Sequence, residues 1–175
     1  MIKLVLLWFL FLLSGFAGGA AAADPVASFK TLIASASSVR TWDEVTFNDK
    51  TNGWIKSYYV VSNIEYDVRK TDSLVNPTIG IATFTVIQKT SPKYDSQQGA
   101  QQSDDLQPHA FVRDFDVKYH ISKGKWTTSD ARYKSKLVGG PAAGSFGSME
   151  YKPSLKGQLR GFDKVLAKWF PGYHH

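Results

Sequence analysis

The chain contains no cysteine. That absence excludes a disulfide framework, Cys-ligated zinc, iron–sulfur clusters and thiol catalysis. It also has no usable glycosylation acceptor, because Asn76-Pro77-Thr78 carries proline at its centre. There is no Gly-x-Ser-x-Gly elbow; Gly144-Ser145-Phe146-Gly147-Ser148 does not match it. The glycine-rich stretch 140–147 lacks the lysine of a phosphate loop. No internal repeat is found. Acids are outnumbered, 15 Asp+Glu against 21 Lys+Arg, for a net charge of +6. That excess is modest and favours anionic partners only weakly. Apolar residues at 43% and charged residues at 21% argue against wholesale disorder.

The one long apolar run lies at the start. Lys3 precedes ten unbroken apolar residues over 4–13, and Gly15, Gly18 and Gly19 follow. Ala21-Ala22-Ala23 fits the small-x-small cleavage pattern, so 1–23 reads as an export signal with Asp24 as the new N-terminus. The rival reading is an uncleaved membrane anchor, since 4–23 is long enough to span a bilayer at about 20 residues. No cysteine follows the run, which excludes a lipid-anchored lipoprotein. A cysteine-free exported chain fits a bacterial envelope, periplasmic or extracellular, better than an animal secretion.

The rest, 24–175, is expected to form a single α+β domain. Asp24-Pro25 has the form of an N-cap followed by proline at the first helical position. Val26, Phe29, Leu32, Ile33 and Ala36 then recur at helical spacing. Residues 42–47 fit a short strand, and 48–53 fit a turn. The clearest strand follows. Tyr58, Val60, Ser62, Ile64, Tyr66 and Val68 alternate with a wetter row, which predicts one buried face. Its length predicts a bend or bulge near Ser62-Asn63. Further strands are expected over 79–87, 111–121 and 126–133, the last two joined by Lys123-Gly124. Residues 89–109 are polar and read as a long mobile loop. Residues 139–153, with four Gly and two Pro, read as a connector. Leu155, Leu159, Phe162, Leu166 and Trp169 predict an amphipathic helix over 154–170, stopped by Pro171-Gly172.

The expected architecture is therefore an N-terminal helix against a curved antiparallel sheet of four to five strands, plus a C-terminal amphipathic helix. The block Tyr66-Asp67-Val68-Arg69-Lys70-Thr71-Asp72-Ser73-Leu74-Val75-Asn76-Pro77, with Gly80 soon after, resembles segments of small exported bacterial proteins. The pattern over 53–126 is similar to cystatin-like and nuclear-transport-factor-like folds. That resemblance implies a cone whose mouth holds a ligand, and it brings no catalytic residues with it.

The candidate chemistry is thin. Asp114 and Asp116 stand roughly 7 Å apart on one strand face, but Lys118 and His120 continue that row, as on any solvated face. Asp104, Asp105 and His109 lack fixed metal-ligand spacing, and His174-His175 is at most a weak chelating tail. Tyr58, Tyr66 and Tyr119 are expected to face inward, as core or as the rim of a cavity. The most definite surface is the terminal helix. Lys156, Arg160, Lys164 and Lys168 recur every fourth residue and could meet an anionic membrane surface or an acidic protein, or simply be a solvated face. Nucleic acid is not expected, since the chain is exported and carries no recognition motif. No catalytic residue, metal or cofactor is assigned.

Two functions follow. The first is an exported non-enzymatic binding or interaction module for an unknown protein or small ligand. The second is a small ketosteroid-isomerase-like enzyme using a cone-shaped pocket. The second requires an inward acid beside an inward tyrosine, and the readable acids Asp67, Asp114 and Asp116 fall on outward rows.

Overall fold

A computed structural model describes residues 24–141, 143–151 and 161–173. It is α+β. Helix α1 (Pro25–Ala36) starts as expected: the Asp24 carboxylate accepts the Val26 N–H at 3.0 Å, and proline occupies the first turn. It buries Phe29, Ile33 and Ala36 and ends where the Ser37 N–H bonds the Ile33 carbonyl at 2.8 Å.

Six strands follow: β1 (Thr41–Asn48), β2 (Gly53–Lys70), β3 (Thr78–Thr90), β4 (Ala110–Ser122), β5 (Lys125–Val138) and β6 (Gly144–Glu150). They pair antiparallel in chain order as a curved meander. The β4–β5 turn is two residues long, with φ of 50° at Lys123 and 74° at Gly124. Both central residues are left-handed, which matches the twist of a tight hairpin.

The expected bulge in β2 is present, and it overturns the expected face of Tyr58. Ser62 pairs with Thr85 and Glu65 with Thr83, so Asn63 and Ile64 together oppose Phe84. Asn63 takes φ 50°, a conformation asparagine tolerates better than most residues. The extra residue inverts the alternation. Before the bulge the inward residues are Tyr59 and Val61; after it they are Ile64 and Val68, while Tyr66, in the same row with its ring 6.2 Å from that of Phe29, is 44% exposed rather than buried as expected. Tyr58 stands on the outer face, beside Lys56 and Ser103.

Two stretches expected as loop and connector hold elements of their own. Within 89–109, Tyr94 bridges Trp54 through backbone bonds of 2.8 and 2.9 Å, and α2 (Gln97–Gln102) is capped by the Ser96 hydroxyl. Lys56 Nζ donates to the Gln101 and Ser103 carbonyls at 3.3 and 3.0 Å and pairs with Asp43 at 3.3 Å. Hydrogen bonds rather than apolar area hold this segment, so low hydrophobicity concealed it. Within 139–153 lies β6, the sixth strand of a sheet expected to have four to five. All seven of its residues are exposed, so it carries no burial pattern to read.

Of the expected C-terminal helix, the described part is α3 (Gly161–Leu166) followed by a 3-10 turn over Ala167–Trp169. Leu155 and Leu159 lie outside the described residues. Leu166, Trp169 and Phe170 are buried against the sheet. Trp169 stacks on Phe84 at 4.2 Å, and its carbonyl accepts the Tyr119 hydroxyl at 2.8 Å. The α1 end is equally close: a Cβ on Gly80 would lie 2.5 Å from the Phe29 ring. Trp126 Nε1 bonds the Ser28 hydroxyl at 3.0 Å.

Candidate functional site

The inward positions of β3 run Gly80, Ala82, Phe84 and Val86, then change to Gln88 and Thr90. Those of β4, read backward, run Tyr119, Val117 and Phe115, then Arg113. The strand register brings the polar ends together with Ser57 and Tyr59 of β2 and Glu44 of β1. Asp163 arrives from α3, and the group lines a cleft of about 320 Å³.

The side chains form a relay. Arg113 Nη1 donates to Gln88 Oε1 at 3.0 Å, and Gln88 Nε2 donates to the Ser57 hydroxyl at 3.4 Å. Ser57 also bonds Tyr59. Nearby, the Tyr151 hydroxyl donates to Asp163 Oδ1 at 2.9 Å. Burial raises the Tyr59 phenol above its ordinary pKa, and the Ser57 bond opposes that shift. Burial also raises the Tyr151 phenol, reinforced by the Asp163 charge. Both hydroxyls therefore stay protonated and can donate at neutral pH. Burial lowers the Arg113 pKa below its ordinary value, and the guanidinium stays charged at neutral pH. The cleft thus presents one fixed cation, two carboxylates and several neutral donors and acceptors.

Sequence reasoning missed this site, although a signal was present. Phe111-x-Arg113-x-Phe115 puts a cation at an inward position between two aromatics. The Arg113 guanidinium lies 5.8 Å from the Phe111 ring centre.

The residues singled out from sequence lie elsewhere. Lys164 and Lys168 are exposed and do not line the cleft. Lys156 and Arg160 lie outside the described residues. Asp114 and Asp116 stand exposed on the outer face, directly opposite Lys134 and Arg132 of β5. Asp114 also accepts the Thr85 hydroxyl at 2.8 Å. That is a charge-matched sheet surface, not an acid/base pair. Asp67 is likewise outward, and its bond to Arg69 at 2.7 Å holds its carboxyl below the usual range. Tyr119 is core. Asp104 sits 3.9 Å from Lys56, and among the described residues no group of three or more His, Asp or Glu is placed to hold a metal. Among the described residues no helix is long and apolar enough to cross a membrane.

No protein-family model matches the chain, and neither a curated protein nor a solved structure is significantly similar to it.

Proposed function

We propose that this chain is an exported, non-enzymatic α+β binding module of a bacterial envelope, cystatin-like or nuclear-transport-factor-like in plan. Its ligand is a small polar molecule held in the cleft between Glu44 and Arg113. One observation carries this reading: a relay of Arg113, Gln88, Ser57 and Tyr59 occupies inward positions where the same strands are otherwise apolar. Placing polar groups on the inner face costs desolvation free energy that a packed core avoids. A ligand that completes their hydrogen bonds is a reason to keep them. Export rests on the basic start, apolar run and alanine-rich junction of 1–23.

The test is a thermal-shift screen of amino acids, hydroxy acids and short peptides, repeated with Arg113→Met. The variant keeps the aliphatic stem and removes the charge. A compound that stabilises the wild type and not the variant supports the reading. A compound that stabilises both equally binds elsewhere, and a panel with no hit counts against it.

The isomerase-like reading keeps one supporting observation. Glu44 and Asp163 line the same cleft as Tyr59, so an inward acid does stand beside an inward tyrosine. It is the weaker reading because Asp163 already accepts the Tyr151 hydroxyl. Exchange of α-protons for deuterium in a bound carbonyl compound, abolished by Glu44→Gln, would reverse the preference.

A further inference from the structure

A second feature lies at the opposite end of the sheet from the cleft. The β2–β3 loop presents Leu74 at 100% and Val75 at 84% exposure. The loop is braced. The Thr71 N–H bonds the Pro77 carbonyl at 2.9 Å, the Thr71 hydroxyl bonds the Asn76 carbonyl at 2.5 Å, and the Asn76 N–H bonds the Ser73 hydroxyl at 3.1 Å. Isolated exposed aliphatic residues are ordinary. Three companions on the same end make these two different.

First, the register places the β4–β5 turn beside this loop, since Ile79 pairs with His120 and Ile121 with Trp126. Between that turn and α1 opens an apolar cleft of about 550 Å³, lined by Pro25, Leu32, Ile121 and Trp126. Val26, next to Pro25 in the chain, is 55% exposed. Second, Lys70, Lys123 and Lys125 surround this end and are exposed. Of the acids nearby, Asp67 is engaged by Arg69 and Asp24 caps α1, which leaves Asp72. Third, α1 begins here, so the apolar stretch 4–23, of bilayer-spanning length, joins the domain at this end. If that stretch is retained it holds this end at a bilayer; if it is removed, the new amino group adds one more cation.

We propose that this end seats on an anionic lipid bilayer. Leu74 and Val75 enter the headgroup boundary, and Lys70, Lys123 and Lys125 meet lipid phosphates. Apolar insertion and electrostatic attraction reinforce each other in this arrangement, and neither suffices alone. The polar cleft at the other end would then open away from the membrane.

The cysteine-free chain makes the test clean. Leu74→Cys, and Lys50→Cys in the β1–β2 turn at the far end, are each labelled with an environment-sensitive fluorophore in the full chain. Both are exposed positions, so neither label disturbs the core. The proteins are added to vesicles of phosphatidylcholine containing phosphatidylglycerol. A several-fold rise in emission at 74, with quenching by lipid-borne nitroxide and no change at 50, supports the proposal. So does a several-fold loss of that rise in the Lys123→Glu, Lys125→Glu variant. A label at 74 that stays as water-accessible as the one at 50 overturns it, even where 4–23 tethers the chain. Protection at 74 that needs added envelope proteins overturns it too, and points to a protein partner instead.

Discussion

The two ends of the inward face are made from the same strands and have opposite contents. Around Gly80 the face is apolar and packed: Phe29 sits 5.1 Å from Tyr119 and 4.7 Å from Trp126, ring centre to ring centre. Around Gln88 it is polar and open, with Arg113, Ser57, Tyr59 and Glu44 around a cleft. The pleat decides which side chains point inward, and it does so equally at both ends. What differs is the residue placed at each inward position. Backbone geometry therefore explains the packed end completely and the polar end only in part. The remainder is the reason for assigning a site there.

The comparison is broken most severely at Trp169, which is fully buried between the two ends. Trp169→Ala is expected to destabilise the protein by ~3–5 kcal/mol, as large aromatic truncations do. Urea unfolding measures it, and an unchanged midpoint would mean the C-terminal segment is not docked. Next comes the packed end. Gly80→Ala forces a methyl into the Phe29 ring and should cost about 1–3 kcal/mol. Phe29→Leu in the same chain should recover part of that loss if the clash is the cause.

Alkaline pH acts on both ends together. Burial raises the phenols of Tyr59, Tyr119 and Tyr151 above the ordinary value of 10.0. The unfolded chain therefore releases these protons first as pH rises. The contribution is complete below pH 10 and falls above it, where the folded state binds more protons than the unfolded one. Denaturant midpoints should be flat across neutral pH and fall beyond about 10. Replacing Tyr151 with Phe should flatten that fall in part.

The smallest effects are expected on the outer surface. Asp116→Asn, and Lys164→Glu with Lys168→Glu, should each change stability by less than ~0.5 kcal/mol, because exposed charges contribute little. A large loss from the lysine pair would show that α3 depends on its charged side.

The legible parts were those with a strong local rule. Asp24-Pro25 marked the start of α1, and alternation marked β2 and β4. Lys123-Gly124 marked a turn that two left-handed residues close. The illegible parts had no such rule. β6 is an exposed edge strand held by backbone bonds to β5, so its composition reads as connector. α2 rests on Ser96 and Lys56 rather than on an apolar stripe. Tyr58 reads as inward when period two runs straight through Asn63, where one extra residue reverses it. The candidate site was legible only as an exception. Arg113 interrupts an apolar row, whereas Asp114 and Asp116 are conspicuous in sequence and ordinary in space.

The central claim is that the polar end holds a small ligand. Native mass spectrometry of the protein taken gently from its producing cells tests it most directly, with wild type and Arg113→Met measured side by side. The account predicts a wild-type species heavier than the bare chain by one small polar molecule, and a variant at its bare mass with unchanged charge-state compactness. Wild type and variant both at bare mass, or both carrying the same adduct, would contradict it.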